Sequence, residues 1–447
     1  MRDVEREALA ERVLGFARGA SAEASAEVIV FDVDSGLTRF THNAIHQNVA
    51  HGDTSVRVRT IVAGRTGVAA TNVLDDASLR ETVARAIHLA ALAPPEDDAP
   101  GLVRNATVAA PPGAFDEPTA DASPATRARI AGDIIASAER QGLWAAGYVT
   151  TERSGVTVAN SAGTRVSYDG TSCGLNVKQN GPDATGFAEA YGTKLALLDG
   201  SKAGDVAAEK ARRSSDPIDV APGDWTVILE PAAFGELLAY LIHHFSAQAV
   251  DEGSSFLCDG LARAYAGTNV SIADDFAHPL LAGQPFDFEG YPTRRVALLD
   301  AGVARELVTD ATWAKRTNRP NTGHGLPAPN AEGPMPRHVT VAAGDASTDE
   351  LVAGTERGLL ITRFWYIRPV DQRRTIVTGM TRDGTFLIEN GELVRGVRNL
   401  RFNQSILAAL GAATFSNAAV RTGGYNYRML VPAAKIERFH FSSGSDY

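Results

Sequence analysis

The 447-residue sequence holds only two cysteines, Cys173 and Cys258. Two thiols so far apart form neither a metal-ligand spacing nor a disulfide framework. They read as buried free thiols, and the cytoplasm is the expected compartment. No apolar run approaches the roughly 20 residues that a membrane span needs. No Lys/Arg-rich run or basic stripe occurs, and the net charge is −10, which argues against nucleic acid as a partner. No glycine-rich loop opens a helix, so nucleotide binding has no support. The N-terminus lacks the apolar stretch of a signal peptide. Its Val4, Ala8, Leu9, Val13, Leu14 and Phe16 instead make a partial helical stripe.

What is present is ordinary for a soluble globular protein, with 44% hydrophobic and 21% charged residues. The length predicts two domains, 1–216 and 217–447, divided near Pro217 to Gly223. In the first, EVIVFDVDSGLTRF reads as two strands about a turn at Asp34-Ser35-Gly36, and VRVRTIVAG with RTGVAAT as a pair turning near Gly64. Helices are expected over 77–92, 125–141 and 204–214. Strands with glycine turns fill 145–200, so that a helix–strands–helix pattern loosely repeats. Residues 93–124, rich in Pro, Ala and Asp, read as a linker-like surface excursion. After Gly260 the chain is nearly all short strands, with one later helix candidate at 405–411. Antiparallel hairpins with flanking helices predict an α+β fold: an N-terminal α/β domain of antiparallel strands, then a mainly antiparallel β domain carrying one amphipathic helix.

That helix is the most informative segment. In LEPAAFGELLAYLIHHF, residues Phe234, Leu237, Leu238, Leu241, Ile242 and Phe245 form one apolar stripe. Glu236, Tyr240 and His243 share the opposite face, with His244 at its edge. A Glu, a Tyr and two His on one face suit a site, and equally a solvated or interface-facing side.

Across most of its length the sequence resembles the TldD/PmbA family, formerly called modulators of DNA gyrase. The likeness rests on LTRFTHNAIHQNV (Thr38, Arg39, Phe40, Asn43, Gln47), on VRVRTIVAGRTG, and on LEPAAFGELL. It continues in PFDFEGYPTRRVALLDAGV (Asp287, Glu289, Gly290, Pro292, Thr293) and in RFWYIRPVDQRRTIVTGMTRDGTFLIENGELV. The resemblance implies assembly in pairs. One kind of subunit carries HExxxH on the helix after LEP and a distant cysteine, which together bind zinc for peptide hydrolysis. Imidazole and thiolate suit zinc, and a nearby carboxylate suits a general base. Here the first motif His falls on Ala239 and the Glu on Tyr240. Only the second His is kept, as His244, and the C-terminal SNAAVRTGGYNYRMLVPAAKIERF has no cysteine. The resemblance therefore implies a metal-free, non-catalytic subunit with no cofactor of its own. A zinc-bearing TldD-like partner would supply the chemistry on unfolded or modified small peptides, or on peptide-like biosynthetic intermediates. Glu236, Tyr240, His243, His244, Trp365, Tyr366 and Arg382 are the candidates for the substrate groove or the interface.

Two other readings stay open: a hydrolase with a relocated site built from Glu236, His243, His244 and Asp251, and a homodimeric binding or scaffold protein. Several clusters have plain structural explanations. His42, His46 and His51 suit a polar loop. Asp274 with Asp275, and Asp287 with Glu289, could act as paired carboxylates, but turn formers beside them suit a solvated surface. Arg363, Phe364, Trp365, Tyr366 and Arg368 suit an interface or a core strand. Met380 to Thr385 reads as a polar hairpin tip, near which an exposed strand edge could pair with a peptide. The loop Asn318 to Pro336 could line or gate a groove.

Overall fold

Alternating buried and exposed residues produce long strands in the first half of the chain. The computed structural model describes residues 1–95, 100–423 and 428–445. Helix α1 (Asp3–Ala20) precedes β1 (Ser25–Thr41), β2 (Ala44–Val62), β3 (Arg65–Thr71) and α2 (Asp76–Leu92). The same order then repeats. After the short α3 (Glu117–Ala120), α4 (Pro124–Arg140) precedes β4 (Trp144–Asn160), β5 (Arg165–Asn180), β6 (Thr185–Gly192) and α5 (Gly200–Arg213). The six strands form one antiparallel sheet, β3-β2-β1-β4-β5-β6, with the first strand of each repeat at its centre. The loose repetition in the sequence is thus a pseudo-symmetric pair of halves.

Several expected turns are absent. Asp34-Ser35-Gly36 lies inside β1, which pairs on both sides, with Asp34 opposite Gly52 and Arg153. Likewise Gly155 and Gly170 lie inside single strands. These glycines make room for side chains that lie on the sheet. A Cβ at Gly36 would meet the Arg127 guanidinium at 2.2 Å, and one at Gly155 would meet that of Arg6 at 2.3 Å. The first helix of each half thus lays an arginine on the first strand of the other. Arg6 donates to Thr157 and Arg127 to Thr151. Residues 93–124, apart from 96–99, which lie outside the described residues, do not form a free linker. Ala114 is buried with Ile29, Val156 and Tyr168 against the sheet, and Asp116 N–H donates to Thr171. Small apolar residues in this proline-rich stretch cover a sheet face that the helices leave bare.

The second half begins with β7 (Gly223–Leu229), which feeds α6 (Pro231–Ile242) and then α7 (Ala247–Asp251). Next come β8 (Ile272–Asp274), β9 (Val296–Asp300), β10 (Val303–Ala304), α8 (Ala311–Arg316), β11 (His338–Val341) and α9 (Thr348–Ala353). The chain ends with β12 (Arg357–Asp371), β13 (Ile376–Glu389), β14 (Glu392–Gly396), β15 (Leu400–Ser405), α10 (Ile406–Gly411), β16 (Ala413–Gly423) and β17 (Arg428–Gly444). The fold is α+β. β17 pairs with both β15 and β7, so β7, β12, β13, β15 and β17 close into a ring. Helix α6 seals the principal core with Phe234, Leu237 and Leu241. Helices α8 and α9 join α10 as late helices beyond the single one expected. The start of α9 carries a capping box from Ser347 and Glu350, a legible signal in the sequence. Met380 to Thr385 is no hairpin tip. It lies within β13, where Asp383 and Gly384 take positive φ and Asp383 is 4% exposed. The turn instead falls at 372–375, between β12 and β13.

Candidate functional site

The site grows from the junction of β7 and α6. Pro231 sits in the first turn of α6, where its missing N–H costs nothing, and Glu230 N–H reaches across to Ile361 O at 3.0 Å. β12 pairs with β7 only over Leu359 to Ile361. Beyond that, the edge of β12 is free and leans over the polar face of α6. Register breaks after Ile361 and after Trp365, with Tyr366 at φ 56, push the two aromatic rings outward. Trp365 and Tyr366 are 46% and 60% exposed, while Phe364 and Ile367 are buried. The aromatic cluster thus serves core and surface in alternation.

Side chains of α6 stand in for the missing neighbour strand. Glu236 Oε2 accepts from Phe364 N–H at 2.7 Å, and Tyr240 O–H donates to Ile367 O at 2.7 Å. The expected strand edge is therefore already capped at these two groups. Arg363 lies 3.4 Å from Glu236 and 3.8 Å from Asp383, and stacks over Phe187 and Trp365. Arg382 covers the Trp365 ring and Arg368 the Tyr366 ring. Burial pushes the Glu236 carboxyl up to about 7 against the pull of Arg363. Its side chain is still 36% exposed to the cleft, so solvent offsets part of that rise.

Three clefts run end to end along α6. The central one, 380 Å³, lies between Glu236, Tyr240 and the Trp365–Tyr366 pair. It shares Ala239 and Tyr240 with a 390 Å³ cleft that reaches His243 and Asp371. At its other end it shares Ala232, Glu189 and Thr422 with a 290 Å³ cleft at the edge of β6. Together they make one groove.

Matches to known proteins agree with this architecture. Residues 222–443 match the family model for the PmbA/TldA metallopeptidase C-terminal domain, and residues 26–90 match that for PmbA/TldA metallopeptidase domain 1. The chain belongs to the PmbA/TldA family. A zinc metalloprotease TldD homolog of Saccharolobus solfataricus is 24% identical over 201 residues, 42% of this chain and 43% of that protein. The chain thus spans less than half the length of the curated relatives it matches. The crystal structure of TldE from Thermococcus kodakarensis superimposes with a TM-score of 0.89 at 20% identity, over 97% of this chain and all of that one. A protein described as a modulator of a DNA gyrase from Thermotoga maritima does so with a TM-score of 0.87 at 18% identity, over 98% of this chain and 100% of that one. These two likenesses concern the fold.

The positions that the resemblance sets against HExxxH present few metal donors. Ala239 has no donor, and the Tyr240 hydroxyl is committed to Ile367 O. His244, expected at the edge of the polar face, is 4% exposed and packs its ring against Phe256. The helix ends at Ile242 and tightens to a 3-10 turn over His243–Phe245, which swings His244 into the core. Asp251 is exposed on α7. Among the described residues no group of three or more His, Cys, Asp or Glu side chains could hold a metal ion. Glu236, His243, His244 and Asp251 therefore do not converge on a relocated centre. His42, His46 and His51 lie apart along an exposed hairpin, where His42 stacks on Trp144.

Burial, with His243 adding to it, lowers the His244 pKa to about 4. The unfolded chain takes up this proton first, near pH 6.5, so stability falls as pH drops from about 6.5 towards 4. Between pH 7 and 4.5 the loss is on the order of 2 kcal/mol. Urea unfolding of His244→Leu should show an acid decline smaller by about that amount. An unchanged decline would remove His244 from this role.

The expectation of solvated carboxylates fails. Asp274 and Asp287 are fully buried, and Glu289 is half-buried. Asp274 accepts from the amides of Arg337 and His338 and lies 3.2 Å from His324 Nε2. Burial pushes this carboxyl up, but His324, His338 and an amide outweigh it and hold it well below the carboxylate range. Asp287 accepts three amides, from Glu289, Tyr291 and Gly325. Burial raises both Asp287 and Glu289, and repulsion from Asp287 adds to the rise at Glu289, while Arg59, itself paired with Glu27, opposes it. This cluster pins the 318–336 loop: Gly325 N–H donates to Asp287, and Ala328 O accepts from Arg57 at 2.7 Å. Its partners lie tens of residues apart, which hid it from the sequence.

Proposed function

We propose that this chain is the zinc-free, non-catalytic subunit of a two-subunit TldD/PmbA-type peptidase. It forms one wall of a groove for unfolded or modified small peptides, or for peptide-like intermediates, and a zinc-bearing TldD-like partner performs the hydrolysis in the cytoplasm. The observation that carries this reading is the groove along α6. It is built and lined, yet at the two motif positions facing it stand Ala239 and a Tyr240 whose hydroxyl braces β12. Imidazole and carboxylate at those positions are what zinc hydrolysis needs. Glu236, His243, Trp365, Tyr366 and Arg382 line or rim the groove, and His244 closes its floor. Among the described residues no helix is long and apolar enough to cross a membrane.

Co-expression with the nearest zinc-bearing relative from the same genome tests the proposal. Mass, zinc content and peptide hydrolysis are measured for each chain alone and for the mixture. A mixed complex that hydrolyses peptide, with zinc stoichiometric to the partner, is expected. Stoichiometric metal and hydrolysis with this chain alone would overturn the proposal, and so would a self-pair that never exchanges with the partner.

A further inference from the structure

One partly buried cation of the groove has no ion pair among the described residues. Lys178 pairs with Asp383 at 2.8 Å, Lys210 with Glu230 at 2.5 Å, and Arg363 with Glu236 and Asp383. The part-buried side chain of Arg421, on β16, makes no ion pair and no hydrogen bond among the described residues, and its Nη1 is buried without a partner. The groups facing it are Tyr168, Cys173 and a second guanidinium, that of Arg428. Burial and Arg428 pull its pKa down to about 10, so it stays charged at neutral pH. An isolated buried cation is strongly unfavourable unless an anion meets it.

Arg421 lines the 290 Å³ cleft at the end of the groove. The opposite wall is β6, the last strand of its sheet, whose outer edge from Phe187 to Tyr191 pairs with no strand among the described residues. Such an edge accepts an extended chain through main-chain hydrogen bonds. One of its acceptors, Phe187 O, is already taken by Lys210 at 3.3 Å. A guanidinium offers a planar fork that matches a carboxylate. A phosphate dianion suits the cleft less well, because Glu189 lines the same space.

We propose that Arg421 is a carboxylate receptor, which holds a terminal or side-chain carboxylate of a chain laid along β6. The identity of that chain as a peptide rests on the function proposed above; the anion site does not. In this arrangement the carboxylate sits at the β6 end of the groove, and the rest of the chain runs past Glu236 towards Trp365 and Tyr366.

Acetate, titrated into the full-length protein against sodium chloride at constant ionic strength, probes the site alone. Wild type should gain a saturable rise of several degrees in Tm over the chloride control. Arg421→Gln should gain none and, without acetate, should be as stable as wild type or more so. Arg421→Lys keeps the charge but loses the fork, and should bind acetate more weakly; it serves if the glutamine variant folds poorly. Equal acetate responses in wild type and both variants would overturn the proposal whatever peptides do.

Calorimetry then uses one unstructured peptide as free acid, as C-terminal amide, and with its acidic side chains made amides. The form whose neutralisation costs tenfold or more in affinity, in wild type but not in Arg421→Gln, identifies the carboxylate. An acetate response without any peptide binding would keep the anion site and discard the peptide groove.

Discussion

Asp274→Ala is expected to cost about 2–5 kcal/mol of folding free energy, the range for leaving two buried amide donors without an acceptor. The side chain is fully buried, accepts two backbone amides and faces His324 and His338. Its removal orphans both amides and leaves His324 Nε2, already without a well-aligned hydrogen bond, without its nearest polar neighbour. Urea unfolding at pH 7 measures the loss, and a change below about 1 kcal/mol would mean that the cluster is not structural. Acid sensitivity has a definite sign here. The Asp274 pKa is depressed on folding, so its contribution is present above about pH 4 and is lost as pH falls through the folded value. Burial holds the His338 pKa well below its ordinary value. The unfolded state therefore protonates there first, which weakens the fold below about pH 6.5. Both effects act in the same direction, and in Asp274→Ala the part of the acid decline due to Asp274 should disappear.

Gly186→Val should be at least as damaging. A Cβ at Gly186 would stand 2.0 Å from Ala207 O and 2.4 Å from Ala211 N, both backbone atoms of α5. Backbone cannot swing away as a side chain can, so the helix itself must lift off β6. The expected loss is about 3 kcal/mol or more, at the upper end for overpacking. Because α5 and β6 also form walls of the β6-edge cleft, the variant should weaken whatever binds there. The pseudo-symmetric position, Gly67, meets Ala86 O at 2.1 Å in α2 and should respond alike. Gly132 is the control. It is exposed within α4 with nothing near an added Cβ, so Gly132→Ala should stabilise by about 0.5–1 kcal/mol. Denaturant midpoints of the three variants settle the comparison, and equal midpoints for Gly186→Val and wild type would refute the close-packing argument.

Helix α6 was legible because its apolar residues recur every three or four positions, and the outward placement of Glu236 and Tyr240 followed from the same period. The inward turn of His244 was not legible, because it depends on the tightened backbone at 243–245. Period-two alternation located most strands, but their lengths were misjudged wherever a glycine suggested a turn. At Gly36 and Gly155 the reason for glycine is an arginine from a helix of the other half, more than 90 residues away for Gly36 and nearly 150 for Gly155. No local pattern contains that information.

Local regularity in the sequence therefore determined the α+β character and the repeated helix–strands–helix order, while the family resemblance set Ala239 and Tyr240 against the first His and the Glu of HExxxH. Each of these depends only on which residue stands where, or on spacing within one element. The tertiary structure alone decided which charges are compensated. Asp274 lies between two histidines 50 and 64 residues ahead of it, and Asp383 meets Lys178 from the other sheet. Arg421, by contrast, is left facing Arg428 and forms no ion pair among the described residues. Compensation is a matter of distance and burial between side chains remote in sequence, and these are fixed only when the two sheets close on each other.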